Sequence, residues 1–317
     1  MNKAILFPGQ GSQHAGMGKD LYDNFKVARE VFEEVDEALG QNLSRIIFEG
    51  GREGDNDLLT MTENTQPALM VTSIATLRVL LQELDIEIKD LCSFVAGHSL
   101  GEYTALCAAG SLSLSDTARL LRIRGNAMQS ACEPRLGGMI ACLGINIVNL
   151  ELIITEAQKI GICQIANDNS LEQIVVSGSI EAIDYLEIVL RDLGKKAVKL
   201  KVSAPFHSEF MLPAARTMKD ALSQVELLNP SLPIITNILA SSVSDPELLK
   251  ECLVLQVAGK VRWRETMDFM ASQGVIDVIE VGPGKVLSNL AKRSPHAFGF
   301  INVGSCIEVS EFIQKYR

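Results

Sequence analysis

The sequence predicts an α/β protein in which a large domain is interrupted by a smaller unit of β-α-β-β-α-β order. Three observations predict it. Short apolar runs at Lys3–Phe7 and Cys92–Ala96 stand ahead of glycine-rich turns and helical segments, as buried strands of a parallel sheet do. The turn after the second run reads Gly97-His98-Ser99-Leu100-Gly101, the G-x-S-x-G pattern in which a strand stops, turns sharply and gives way to a helix. Between residues 133 and 203 the alternation of strand-like and helix-like runs changes and follows the ferredoxin-like split motif.

Taken in order, Lys3–Phe7 is a first buried strand that ends in the turn Pro8-Gly9-Gln10-Gly11. Helical patterning runs through Val27–Leu39 and again through Gln66–Leu84. Cys92–Ala96 is the second strand, followed by the turn and a helix of small residues, Tyr103–Gly110. Ser115 or Asp116 is expected to cap the next helix, which carries Arg119, Arg122 and Arg124 to about Ser130. In the smaller unit, Gly138–Leu143 is a strand and Ile147–Ile160 a helix closed by Gly161. Strands Cys163–Ala166 and Gln173–Ser177 follow, then a helix over Ile180–Leu193 closed by Gly194 and a last strand, Lys196–Val202. The large domain resumes with a helix over Glu209–Gln224 and strands at Pro233–Ile238 and Val275–Val281. The expected division is therefore 1–132 and 204–317 for the large domain and 133–203 for the insert. No internal repeat or low-complexity segment interrupts it.

At 317 residues the chain is long enough to bury a large core, and its 47% apolar and 21% charged residues are those of an ordinary globular protein. A formal net charge of −10 with no strongly basic stretch argues against nucleic acid as a partner. The seven cysteines are odd in number, scattered through apolar segments and never in C-x-x-C spacing, so they read as reduced core residues. The residues before Pro8 are too few for a signal peptide, and no apolar run approaches the ~18 residues that span a membrane. A cytoplasmic protein with no membrane contact and no metal is expected.

The chemistry centres on Ser99. Its hydroxyl, set on a sharp turn, projects alone, and the helix behind it aims unpaired N–H groups at any anion forming beside it. A serine hydroxyl needs a general base within hydrogen-bond reach. Of the four histidines, His98 is directed away by alternation, His14 lies in a glycine-rich loop and His296 in a polar segment near the end. His207, in Ser203-Ala204-Pro205-Phe206-His207-Ser208, sits where the insert rejoins the large domain, and domain boundaries are where clefts form. His207 is therefore the expected base. Phe7-Pro8-Gly9-Gln10-Gly11-Ser12-Gln13 lacks the spacing of a phosphate loop. It suits instead the second donor of an oxyanion hole, with Gln10 and Leu100 N–H as the pair.

Gly-Gln-Gly-Ser-Gln at residues 9–13, Gly-His-Ser-Leu-Gly-Glu at 97–102, Arg124-Gly125, Pro205-Phe206-His207 and Glu280-Val281-Gly282-Pro283-Gly284 together resemble the malonyl-CoA:acyl carrier protein transacylase family along essentially the whole chain. The resemblance implies an α/β-hydrolase-like core with a ferredoxin-like insert. It implies a Ser99–His207 pair, a malonyl-binding Arg124 and a Gln256 whose main-chain carbonyl orients the histidine. It also maps an insert-domain asparagine onto Asn167. After Gln256 the chain reads Val-Ala-Gly-Lys-Val-Arg-Trp, where many members carry an aromatic residue and Asn-Pro or Ser-Pro. Glu102 reads as structural.

The implied reaction is a ping-pong transfer of malonyl from malonyl-CoA to the phosphopantetheine thiol of acyl carrier protein, for fatty acid biosynthesis, by a monomer that needs no cofactor. The two thioesters are substrates. A serine thioesterase acting on acyl-CoA and malonyl loading in polyketide synthesis are the alternatives. A guanidinium at Arg124 answers the malonyl carboxylate with two parallel N–H bonds and is left unpaired by acetyl. Phe206 and Leu100 resemble the choices of malonyl-specific polyketide acyltransferases, and Phe206 fills the space an α-methyl group needs. Lys195, Lys196, Lys199 and Lys201, or alternatively Arg262 and Arg264, are candidate contacts for the acidic carrier protein.

Overall fold

The first strand, β1 (Lys3–Phe7), shows how the sheet is buried: Ile5 and Phe7 enter one apolar cluster while Ala4 and Leu6 enter another on the opposite face. The computed structural model describes residues 2–53, 56–133 and 135–316. Its main sheet has six strands: β1, β2 (Phe94–Gly97), β7 (Ile234–Ile235), β8 (Ser242–Val243), β9 (Asp277–Val281) and β10 (Gly299–Val303), in the order β8-β7-β2-β1-β9-β10. All neighbours are parallel except β7 and β8. In β1 and β2 the register sets Phe7 against Gly97, so the loops that follow leave the sheet side by side at its C-terminal edge.

Helices cover both faces. On the larger side pack α1 (Lys26–Leu39), α2 (Thr62–Leu84), α3 (Leu100–Ala108) and α4 (Leu114–Ser130). Helix α2 is long and apolar enough to cross a membrane by length and composition, which corrects the sequence expectation; 72% of its most apolar stretch is buried inside the protein. It reads as apolar because it is a central core helix. The cap of α4 is Ser113, whose Oγ accepts the Asp116 N–H at 3.0 Å, and not Ser115 or Asp116 as expected; the acidic residue sits instead in the first turn, where the dipole favours it.

Residues 137–199 form a second, antiparallel sheet from β3 (Gly137–Leu143), β4 (Cys163–Ser170), β5 (Gln173–Ser179) and β6 (Lys196–Lys199), in the order β4-β5-β3-β6. Helices α5 (Ile147–Ala157) and α6 (Ile180–Asp192) pack against it around a separate core that includes Ile140, Leu150, Val176 and Leu186. Strand β6 stops short of the expected Val202, and α5 ends before Ile160. Strand β4 runs four residues beyond the expected Ala166. The polar run Asn167-Asp168-Asn169 looks like a loop in sequence, yet its groups are taken up by Val261 and Arg264. Ala166 O accepts Val261 N–H at 2.8 Å, Asp168 N–H donates to Val261 O at 2.9 Å, and the buried Asp168 carboxylate meets Arg264 at 2.8 Å.

After β6 the chain continues with α7 (Leu212–Ser223), α8 (Pro246–Ala258), α9 (Trp263–Ser272), α10 (Val286–Ala291) and α11 (Cys306–Tyr316). Arg262 pairs with Glu265 and Arg264 with Asp168 and Asp268, so these two arginines knit the chain together and are not free surface charge. Lys199 is likewise held by Asp184 and Glu187.

Candidate active site

The elbow exists because two glycines permit it. A Cβ on Gly97 would stand 1.9 Å from Gly101 O, and one on Gly101 would stand 2.4 Å from Phe7 O. Between them Ser99 takes φ 53° and ψ −108°, a conformation that costs an L-residue about 1–3 kcal/mol. Asn237 clamps the turn: its Oδ1 accepts the Ser99 N–H at 2.7 Å and its Nδ2 donates to Gly97 O at 2.8 Å. The next N–H, that of Leu100, opens helix α3 and has no helical carbonyl behind it to bond. Gln10, from the loop after β1, lines the same cleft.

His207 also takes a positive φ, 57°, on the segment between β6 and α7. Its Nε2 lies 2.9 Å from Ser99 Oγ. Its Nδ1 lies 2.9 Å from Gln256 O and 3.1 Å from Gly259 O. Both of these partners only accept, so Nδ1 carries the proton and Nε2 is left to receive one from the serine. Burial, with the Arg124 charge second, pulls the histidine down to about 3, which keeps the ring neutral with the Nε2 lone pair open, while making it a weaker proton acceptor than an ordinary imidazole. Two carbonyls thus occupy the place that a carboxylate holds in other serine triads.

Arg124, on α4, is only 1% exposed. Nη1 donates to Gln66 Oε1 at 2.8 Å, and Nη2 donates to Gln256 Oε1 at 2.8 Å and to Ser99 Oγ at 3.0 Å. Nε has no hydrogen-bond partner among the described residues, and the guanidinium lies 5.6 Å from the Tyr103 ring centroid. The partners named here are all neutral. Burial lowers the affinity of this guanidinium for its proton, but the group stays charged because its reference value is so high.

These groups face a cleft of about 120 Å³ lined by α2, α3 and α4 on one side and by β3 and β4 of the second sheet on the other. That is well below the ~300 Å³ at which drug-sized pockets begin, and it suits a short acyl group. Asn167 from β4, Phe206, Leu200 and Met139 complete its wall. The structure therefore brings together every site residue expected from sequence: Ser99, His207, Arg124, Gln10, Leu100, Asn167, Phe206 and, through its main chain, Gln256. His98 lines the cleft as well, contrary to the alternation argument, but its Nε2 is engaged by Asn169 Oδ1 at 2.9 Å and its ring lies against Trp263.

Sequence reasoning missed Gln66, Asn237 and the side-chain role of Gln256. Gln256 Nε2 donates to Ser99 O at 2.9 Å and to Glu102 Oε2 at 2.8 Å, so one residue touches all three central groups. Glu102 is fully buried, and burial pushes its carboxyl up to about 7 against the Asn237, Gln256 and Arg124 contacts that lower it. Chemically, the arrangement can form an ester on a serine, hold a short anionic acyl group and pass it to an acceptor.

Comparison with known proteins agrees with that chemistry. The acyl transferase domain family matches residues 5–304. The malonyl CoA-acyl carrier protein transacylase of Bacillus subtilis strain 168 is 42% identical over 292 residues, 92% of this chain and 89% of its own. The crystal structure of an acyl-carrier-protein-S-malonyltransferase from Bartonella henselae superposes with a TM-score of 0.94 at 49% identity, covering 99% of each chain. A malonyl-transacylase in complex with a type II PKS acyl-carrier protein superposes at 0.93 with 34% identity, covering 99% of this chain and all of that one, 100%.

Proposed function

The chain belongs to the acyl transferase domain family, and from that premise we propose that it transfers malonyl from malonyl-CoA to the phosphopantetheine thiol of acyl carrier protein, for fatty acid synthesis, through a malonyl ester on Ser99. One observation carries the choice of acyl group. Arg124 is a buried cation aimed at the nucleophile and bonded to neutral oxygens, so it answers a short acyl chain that ends in a carboxylate.

In this reading the malonyl carboxylate takes the Arg124 fork. Nη2 then gives up its bond to Ser99 Oγ, and a lone pair on that oxygen is freed for attack. His207 Nε2 takes the serine proton as Ser99 attacks the thioester carbonyl, and the Gln10 and Leu100 N–H groups hold the oxyanion. The CoA thiol leaves with the proton from His207. The phosphopantetheine thiol then enters, gives its proton to His207 and takes the malonyl group. No cofactor is needed, since the acyl group rides on Ser99 alone.

The same reading treats residues 133–203 as a ferredoxin-like insert in an α/β-hydrolase-like core. Supporting it are the two-helix, four-strand antiparallel arrangement and its separate apolar core. A cytoplasmic monomer is part of the proposal. A thioesterase is disfavoured by Arg124, whose hold on the carboxylate fixes the acyl ester against random approach of water.

The test is transfer of labelled malonyl to carrier protein with and without phosphopantetheine. Label must appear on the holo form alone; loss of label to water at equal rates with either form would mean a hydrolase.

A further inference from the structure

Behind the elbow lies a carboxyl group that the reaction above leaves idle. Glu102, on α3, accepts the Asn237 main-chain N–H at 2.9 Å and Gln256 Nε2 at 2.8 Å, both on Oε2. Oε1 is buried with no hydrogen-bond partner among the described residues. The other end of the Gln256 amide accepts Arg124 Nη2 at 2.8 Å. The direction of that amide is forced, because a guanidinium only donates and the Ser99 carbonyl only accepts. A buried cation and a buried carboxyl therefore stand one amide group apart, with the cation's front turned to Ser99.

We propose that Glu102 is the counter-charge of the empty acyl pocket, and that it tunes how strongly Ser99 favours malonyl over acetyl donors. This rests on the reading of Arg124 as the partner of the malonyl carboxylate. An ionised Glu102 lowers the penalty of keeping Arg124 buried and unpaired between turnovers. Its field also opposes that of Arg124 where the malonyl carboxylate must sit, and in a poorly screened interior that opposition is felt across an amide's width. Glu102 thus keeps capture of the anion from becoming so strong that the acyl group cannot leave.

The charge on Glu102 changes in a range where its neighbours are silent. Arg124 on α4 is always charged. Burial raises Tyr103 on the same helix and holds Cys252 on α8 up at about 11. On the cleft side it lowers His98 and holds His207 down at about 3. Glu102 itself is held at about 7 by burial. Between roughly pH 6 and pH 8 it is the group in this set that ionises.

The experiment measures Ser99 acylation by malonyl-CoA and by acetyl-CoA, by rapid acid quench and peptide mass, in the native protein and in E102Q. Glutamine keeps the acceptor oxygen and removes the charge. At the upper end of the pH range E102Q must raise the malonyl-to-acetyl rate ratio by roughly 5-fold. The native ratio must fall as pH rises, while that of E102Q stays flat. A purely structural role would slow both donors alike and leave the ratio unmoved. An unchanged or smaller ratio in folded E102Q overturns the proposal. Should E102Q fail to fold, the native profile decides: a falling ratio supports the counter-charge and a flat one overturns it. If native Ser99 takes no malonyl at all, it is the parent reading of Arg124 that fails.

Discussion

The Nη2 atom of Arg124 lies 3.0 Å from the Oγ of Ser99. The same hydroxyl oxygen is 2.9 Å from His207 Nε2, so base and cation converge on one atom from different elements. In the proposed mechanism this contact ties acyl recognition to nucleophile activation, and the first prediction follows from it.

If Arg124 holds the malonyl carboxylate as proposed, Arg124→Ala removes two charge-assisted hydrogen bonds and should lower kcat/KM for malonyl-CoA by roughly 10²–10⁴-fold. Arg124→Lys should recover little, because an ammonium cannot reproduce the fork. Acetyl-CoA should lose far less in either variant. Steady-state kinetics with both donors checks this, and equal losses for the two would contradict the carboxylate role.

His207 is held at about 3 in the free protein, mainly by burial and secondly by the Arg124 charge. A base with that value is neutral throughout the working range, so no loss of reactivity should occur as pH falls through the ordinary histidine value. Inactivation of Ser99 by an uncharged phosphonofluoridate should be level between roughly pH 5 and pH 8. A fall centred near 6.5 would mean that the ring is exposed to water in solution. In Arg124→Gln the fall should move upward, because one lowering cause is gone.

Gly97→Ala and Gly101→Ala should each destabilise the protein by more than about 4 kcal/mol or prevent folding, since the atoms met are main chain and cannot rotate away. Gly144→Ala, whose added Cβ meets nothing within 4 Å among the described residues but whose φ is 71°, should be far milder. Chemical denaturation of the three variants separates the two causes.

Stability should respond to Glu102 with a definite sign. Its carboxyl is held at about 7 against an ordinary value of 4.5, so the folded state favours the protonated form. The resulting stabilisation is present at low pH and is lost as pH rises through about 7. E102Q never ionises, so its stability relative to the native protein should improve by roughly 2–3 kcal/mol between pH 5 and pH 8. Denaturation at the two pH values measures it; a difference that stays constant would show that Glu102 does not titrate there.

Phe206 is buried beside the proposed base and lines the cleft. Phe206→Ala should open room for an α-methyl group and raise the methylmalonyl-to-malonyl ratio by roughly tenfold. No change in that ratio would place the α-carbon elsewhere.

Much of this was legible in the sequence because it is written locally. The turn around Ser99 needs Gly97 and Gly101 for steric reasons confined to a few residues, and strand β1 shows its burial in its own composition. His207 was reachable because only four histidines exist and one of them follows the change in strand and helix pattern near residue 203. What was hidden depends on tertiary partners. Asn167-Asp168-Asn169 has the composition of a loop, and it becomes strand only because Val261 and Arg264 take up its polar groups. The side chains of Gln66, Asn237 and Gln256 come from α2, the turn after β7 and α8, and no spacing in the chain announces that they meet. Arg262 and Arg264 look like surface charge until their carboxylate partners are seen.

The most direct test of the central claim is to expose the protein briefly to malonyl-CoA, quench in acid and locate the adduct by peptide mass. The account predicts one malonyl group on the Ser99 peptide, discharged by holo acyl carrier protein much faster than by water. An adduct elsewhere, or none with any acyl-CoA, would contradict it.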